Sequence, residues 1–337
     1  MIATIRDVAK KAGCSITTVS HALNGYDDVN EDTREKILQI AKELNYQPNR
    51  IAQHLVTKKF NTIGVFMLGR FSFQEPLLCG VISGLVDEAS KSDFDLLLFG
   101  TKSLEAGMNP AAMCIQRGAG GVFVMGAKIG DPSLNELNKS EFPAVFFDIP
   151  VEGRRATYIT SENQRGIGQA VDYLVSLGHR KIGFLNGYLE AWVSTQRLQG
   201  YKKAMAKHSL PLKPDYVYMG NFTKESGRLG ARQLLEKNPD LTAIIAASDL
   251  MATGAMEELK NLGRKIPDQV SVIGFDDLDY ASHVTPALTT IRQEKYQMGV
   301  MAAKEIMAMA NDSEYLPQPH ILETSLTIRD SVAPNRS

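Results

Sequence analysis

The sequence predicts an α/β protein in which a small all-α headpiece precedes a two-lobed core of doubly wound parallel sheets. Three observations carry this. The chain is 337 residues long and 44% hydrophobic, enough for packed cores but too long for one ordinary domain. Its first 46 residues read as three short helices separated by turns. From residue 62 the rhythm changes, and apolar runs alternate with amphipathic helical stretches.

Thr4 is placed to cap a first helix carrying Val8, Ala9 and Ala12 on one face, and Gly13 supplies its end. Ser15 caps a second, from Ile16 to Leu23, stopping at Asn24-Gly25. A third begins near Asn30, with Glu31 and Asp32 in its positive first turn and Ile37, Ile40, Ala41 and Leu44 along one face. A fourth helical piece, roughly Pro48 to Thr57, precedes Lys58-Lys59. The clearest strands are 62–68, 94–99, 120–125, 143–147, 180–185, 243–247 and 270–275. Runs apolar on both faces with helices between them belong to parallel sheets covered on both sides, and such sheets meet ligands beyond their strands' carboxyl ends.

Charge gives no general hint of a partner, since Lys+Arg 37 and Asp+Glu 38 leave a net charge of −1. Residues 1–60 hold nine Lys/Arg against seven Asp/Glu, with most of the acids between 27 and 35, expected to lie off any DNA-facing surface. Three widely spaced cysteines (Cys14, Cys79, Cys114) suit reduced thiols in a cytoplasmic protein. Arg6, Asp7, Lys10 and Lys11 interrupt any signal-like apolar run, and no stretch is long and apolar enough to span a membrane.

The segment Thr4–Gly25 carries the most specific signal. A tight turn at Gly13 lets the second helix project its first residues outward. Val19 and Leu23 anchor it inward, while Ile16, Thr17 and His21 face out. An α-helix fits the DNA major groove, where an apolar side chain meets a thymine methyl and a hydroxyl or imidazole bonds base edges. Thr18 and Ser20 are better placed for phosphates.

Here the sequence closely resembles the lactose-repressor (galactose-repressor) family of transcription regulators, and Thr17-Thr18-Val19-Ser20-His21 is similar to its purine-repressor variant. The resemblance continues through Tyr46-Gln-Pro48-Asn49-Arg50-Ile-Ala52-Gln-His-Leu55 and nearly the whole core. It implies a helix-turn-helix on 1–46 with Thr4, Ser15, Ile16, Thr17, Thr18, Ser20, His21 and Asn24 at the DNA. It further implies a hinge on 47–60 with Asn49, Arg50, Ala52 and Leu55 in the DNA-facing set, Asn49 and Arg50 on phosphates and Leu55 wedged into the minor groove.

The same resemblance covers a periplasmic-binding-protein-like core on 61–330, for effector binding and dimerisation. Its N-lobe is expected at about 61–160 plus 292–320 and its C-lobe at about 161–291 plus 321–330. The motifs are Leu177–Gly183, Arg197–Tyr201, Ala247–Ala252 and Val270–Asp277. They imply Arg197 and Asp276 as effector ligands, a pair of donor fork and acceptor that suits a polyol, with Phe222 stacking. Asp148 and Phe73 are candidates from the N-lobe, although Arg70–Glu75 departs from the family's Asn-Pro-Phe pattern. Asp249 either lines the cleft or caps a helix; Trp192, the only tryptophan, either packs or stacks.

An enzyme is not expected. Asp276 and Asp277 are adjacent in a strand and cannot flank one bond, and no Walker loop, HExxH, GxSxG or zinc-like histidine spacing is present. His179 reads as a turn or packing residue. The expectation is therefore a cytoplasmic homodimeric repressor without cofactor or metal, whose partners are a pseudo-palindromic double-stranded operator and a small effector, a sugar before a purine-type corepressor. A sugar-binding receptor without DNA role is the competing class.

Overall fold

The structure, a computed structural model, describes residues 3–46, 60–68, 76–100 and 109–335. The expected hinge helix lies outside them, with Asn49, Arg50, Ala52 and Leu55, and so does Phe73. Two units separate, Met1–Phe60 and Asn61–Ser337.

In the first unit, α1 (Ile5–Ala12), α2 (Ile16–Leu23) and α3 (Glu31–Glu43) enclose Val8, Val19, Ala22, Val29 and Ile37. Their ends obey local chemistry. The Thr4 N–H and hydroxyl both donate to Asp7 Oδ2, at 2.8 and 2.7 Å, across the first turn of α1. Gly13 closes that helix at φ 71°, where a side chain would be strained. Ser15 accepts from the Thr18 N–H and Asn30 from the Thr33 N–H, starting α2 and α3.

The second unit contains two six-stranded sheets of matching order. The first is built from β1 (Thr62–Met67), β2 (Asp95–Phe99), β3 (Gly121–Met125), β4 (Ala144–Phe147), β5 (Ala156–Ser161) and β11 (His320–Leu322), in the spatial order β11-β5-β4-β3-β1-β2, all parallel. The second holds β6 (Ile182–Asn186), β7 (Val217–Met219), β8 (Ala243–Ala246), β9 (Ser271–Asp276), β10 (Thr289–Gln293) and β12 (Thr324–Thr327), ordered β12-β10-β9-β8-β6-β7 and parallel except for β12. In each sheet the third strand of the lobe pairs with the first, leaving the second at the edge. That reversal opens a crevice at the carboxyl ends.

Helices cover both faces of each sheet. On the first, α4 (Pro76–Ser90) and α11 (Lys295–Asn311) bury Leu78, Val81, Leu85, Met298 and Ile306 against Ile63, Val65, Phe123 and Val145. Opposite them, α5 (Pro110–Gln116) and α6 (Pro132–Lys139) place Met113, Cys114 and Leu137 on Phe66, Val122 and Phe146. On the second sheet, α7 (Asn163–Ser176) and α8 (Trp192–Lys207) pack on one face, and α9 (Lys224–Lys237) and α10 (Asp249–Asn261) on the other. Each such large apolar side chain, fully buried, contributes roughly 1.5–3 kcal/mol. At Gly84 an added Cβ would sit 2.0 Å from the Tyr296 carbonyl oxygen, so α4 and α11 approach backbone to backbone there.

All seven strands expected from the apolar runs are present, within two residues at each end. The five others, β5, β7, β10, β11 and β12, are short or rich in Thr and Ser. Between the lobes the chain crosses after β5, after β10 and at Glu323. The last two crossings fall slightly later than the expected 291–292 and 320–321, because β10 still pairs with β12 through Gln293 and β11 with β5 through Leu322. His179 is a packing residue: it is buried, its ring bonding Thr242 Oγ1 and the Ala333 carbonyl oxygen, both at 2.9 Å.

Candidate functional site

Two surfaces gather the expected residues. On α2, Ile16 and Thr17 are exposed on the first turn while Val19 and Ala22 are buried, so the helix presents its N-terminal edge. Ile16 is 46% exposed, unusual for isoleucine and suited to an apolar contact that forms only on a partner. The hydroxyls of Ser15 and Thr18 lie 2.8 Å apart, and Asn24 Nδ2 donates to Ser20 Oγ at 3.4 Å. Thr4, Ser15 and Thr18 thus spend their polar groups on helix ends.

One expectation is corrected here. The acidic stretch does not all lie away from the outward face of α2, because Asp28 Oδ2 meets His21 Nδ1 at 2.5 Å. The turn at Gly25 (φ 74°) folds the loop back beside the helix.

The cleft, about 900 Å³ with its mouth, lies in the core. Asp148, Trp192, Arg197, Phe222 and Asp276 all line it. Asp148 follows β4 and Asp276 ends β9, so each sheet offers one carboxylate from a corresponding strand end. Asp148, Phe222 and Asp276 have φ of 61°, 65° and 116°. Left-handed backbone at three non-glycine positions costs free energy of order 1–3 kcal/mol each and gathers at ligand sites.

Arg197 is buried in the C-lobe wall. Its Nε donates to Asn163 Oδ1 at 2.7 Å and its Nη1 to the Ala247 carbonyl oxygen at 2.5 Å. The guanidinium carbon stands 3.9 Å from the centre of the Phe275 ring. Asn163 Nδ2 in turn donates to Thr160 Oγ1, which donates to Asp148 Oδ1 at 2.7 Å. One chain of bonds therefore joins the guanidinium to the carboxylate of the other lobe. On the far side Gln293 Nε2 donates to Asp276 Oδ1 at 2.6 Å.

Burial pushes the Asp148 and Asp276 carboxyls up to about 6, with Arg197 pulling each back. Burial also lowers Arg197, against the attraction of Asp276, Asp148 and Asp249. A hydroxyl-bearing molecule meeting this site would find two acceptors, a rigid donor and aromatic walls. The Tyr188 and Phe222 rings meet edge to face at 5.5 Å between centres.

Asp249 does not line the cleft, nor does it cap α10; Ser248 does that, accepting from the Met251 N–H. The Asp249 oxygens accept from the Thr290 hydroxyl at 2.5 Å and the Leu278 N–H at 2.8 Å, so the side chain ties β10 and the β9 turn to the helix. Trp192 is the first residue of α8 and packs against the N-lobe cluster while facing the cleft. Asp277 turns away to Arg329 Nη2 at 2.6 Å, so the two adjacent carboxylates diverge.

Sequence reasoning missed Ala127, Tyr188, Asn221, Ser248 and Leu278, which also line the cleft. Each stands two residues beyond a strand, β3, β6, β7, β8 and β9 respectively. Counted from the strand ends expected along the chain, that spacing finds only Ala127. Tyr188, Ser248 and Leu278 are missed by one residue because those strands end one residue away from the expected position, and Asn221 follows β7, which has no apolar run. Among the described residues no helix is long and apolar enough to cross a membrane.

Residues 4–49 match the model for bacterial regulatory proteins of the lacI family, and residues 171–332 that for a periplasmic binding protein-like domain. The chain is 32% identical to a probable HTH-type transcriptional repressor ExuR of Bacillus subtilis, covering 98% of both chains. It is also 32% identical to an HTH-type transcriptional repressor PurR of Vibrio parahaemolyticus, over 98% of this chain and 99% of the relative. Among solved structures it is similar to a complex of the transcriptional regulator CelR with cellobiose, with TM-score 0.75, 30% identity and coverage of 98% and 99%. A lac repressor dimer bound to operator and the anti-inducer ONPF aligns with TM-score 0.85 at 26% identity, covering 99% and 100%.

Proposed function

Because this chain belongs to the LacI family of bacterial regulatory proteins, we propose that it is a cytoplasmic homodimeric repressor whose operator affinity is set by a sugar bound between its core lobes. Residues 1–46 read the operator half-site, 47–60 tie the reader to the body, and 61–330 bind effector and pair the two subunits. The effector is bound without turnover.

The observation that carries the ligand class is the pairing of Asp148 and Asp276 across the cleft around Arg197, with Trp192, Tyr188 and Phe222 alongside. Carboxylates accept from sugar hydroxyls, the guanidinium donates, and aromatic faces cover the apolar side of a pyranose ring. The CelR–cellobiose likeness supports it. A purine corepressor is the second reading, favoured by the PurR relatives and the purine-repressor-like Thr17–His21 stretch.

A thermal-shift screen of the full chain against cellobiose, ribose, hexuronates and nucleobases separates the two, since a ligand that binds the folded state raises the midpoint increasingly as its concentration exceeds its Kd. Operator binding to the protein's own promoter DNA should fall steeply with salt as phosphate counterions are released. Arg197→Ala should keep that binding and lose the effector's influence on it. Salt-indifferent DNA binding, or a normal dose response in the variant, would overturn the reading.

A further inference from the structure

The reading of α2 as the DNA-facing helix leaves one contact unused. We propose that Asp28 is a positioning residue for base recognition by His21, fixing which imidazole nitrogen faces the DNA; this rests on the operator-binding reading above.

Asp28 stands in a loop held at both ends. Gly25 makes the turn after α2, and the Tyr26 N–H donates to the His21 carbonyl oxygen at 3.1 Å. Arg34 Nη2, from α3, donates to the Tyr26 carbonyl oxygen at 2.7 Å. Val29 is buried in the headpiece core, and Asn30 caps α3. The Asp28 carboxylate is thereby set beside the outward face of α2, where its Oδ2 lies 2.5 Å from His21 Nδ1. The Tyr26 ring packs against the imidazole, 4.9 Å between centres and tilted by 41°.

An ionised carboxylate only accepts, so Nδ1 carries the proton in this contact. Nε2 is left as the nitrogen available to a base edge, and the ring's rotation is held from two sides. In a histidine the role of one ring nitrogen is set by the bond the other makes. Without Asp28 the neutral ring interconverts between an Nε2 acceptor and an Nε2–H donor, and it turns freely about its side-chain bonds. Base edges of opposite polarity then become acceptable partners at the same position. The pair is partly open to solvent, so its consequence falls on recognition rather than on the fold.

The test is selection from a pool of duplexes with a randomised centre by the full-length protein, comparing wild type, Asp28→Ala, Asp28→Asn and His21→Ala. Wild type should enrich a half-site. His21→Ala should lose preference at one base pair in it. Asp28→Ala should lose preference at that same pair by roughly fivefold or more, with other positions and thermal stability unchanged. Asp28→Asn should fall between, since an amide accepts from one tautomer and donates to the other. Undiminished preference in Asp28→Ala, while His21→Ala loses it, sinks the role of Asp28 alone. No enrichment by the wild-type protein sinks the operator reading and this inference with it.

Discussion

Lys295 Nζ lies 2.8 Å from the carbonyl oxygen of Asp276 and 2.7 Å from that of Asp277, so the first residue of α11 holds the strained turn beneath the cleft. Gln293, two residues earlier, holds the Asp276 carboxylate. One crossover segment therefore grips both ends of the same aspartate. It does so where the backbone has φ of 116° and then 51°, a conformation that persists only when its surroundings enforce it.

Replacing Lys295 with methionine keeps the stem that packs beside Gly80 and removes both charge-assisted bonds. The core should lose about 1.5–3 kcal/mol, read as a lower urea midpoint at unchanged slope. Effector affinity should fall as the Asp276 carboxylate loses its fixed direction. A midpoint within experimental error of wild type would mean that the turn holds itself.

The paired carboxylates give a pH signature. Asp148 and Asp276 titrate near 6 in the folded chain, against 3.8 when free of it. Between those values the folded state binds more protons than the unfolded one, so these groups lower stability as pH rises from about 4 to about 6, and the loss is complete above that. Asp276→Asn should accordingly gain stability relative to wild type as pH is raised through this window. Binding of the proposed sugar runs the other way. It requires both acceptors ionised, so affinity should fall from pH 7.5 to pH 5, with protons released on binding near pH 6. Calorimetry in two buffers of different ionisation enthalpy reads that release; its absence would remove the carboxylates from the binding contact.

Asp249 separates structure from binding. Its alanine variant leaves the Leu278 N–H and the Thr290 hydroxyl without their buried acceptor. The expected cost is about 2–5 kcal/mol for two orphaned groups. Ligand affinity measured below the unfolding transition should change far less than in Arg197→Ala. An equal loss in the two variants would place Asp249 in the cleft after all.

Much of this protein was legible along the chain because it depends on short-range physics. Apolar runs at strands 121–125 and 243–246 are buried whole, and the capping residues Ser15 and Asn30 act within three residues of themselves. Such features need only neighbours in sequence. β5 and β10 were not legible, since Thr160, Ser161, Thr289 and Thr290 read as polar until their hydroxyls find partners in distant segments.

The identity of the cleft residues divides along the same line. Arg197, Phe222 and Asp276 were marked along the chain by the family resemblance, and the alternation that builds two doubly wound sheets was set by the sequence by itself. Only the tertiary structure decided that Asp249 serves the scaffold, that Lys295 clamps the Asp276 turn, and that Asp28 folds back onto His21. Each of these is a polar contact with a partner outside the residue's own secondary-structure element. Whether such a group binds a ligand or the protein itself depends on which partner the fold brings within 3 Å, and no local pattern encodes that distance.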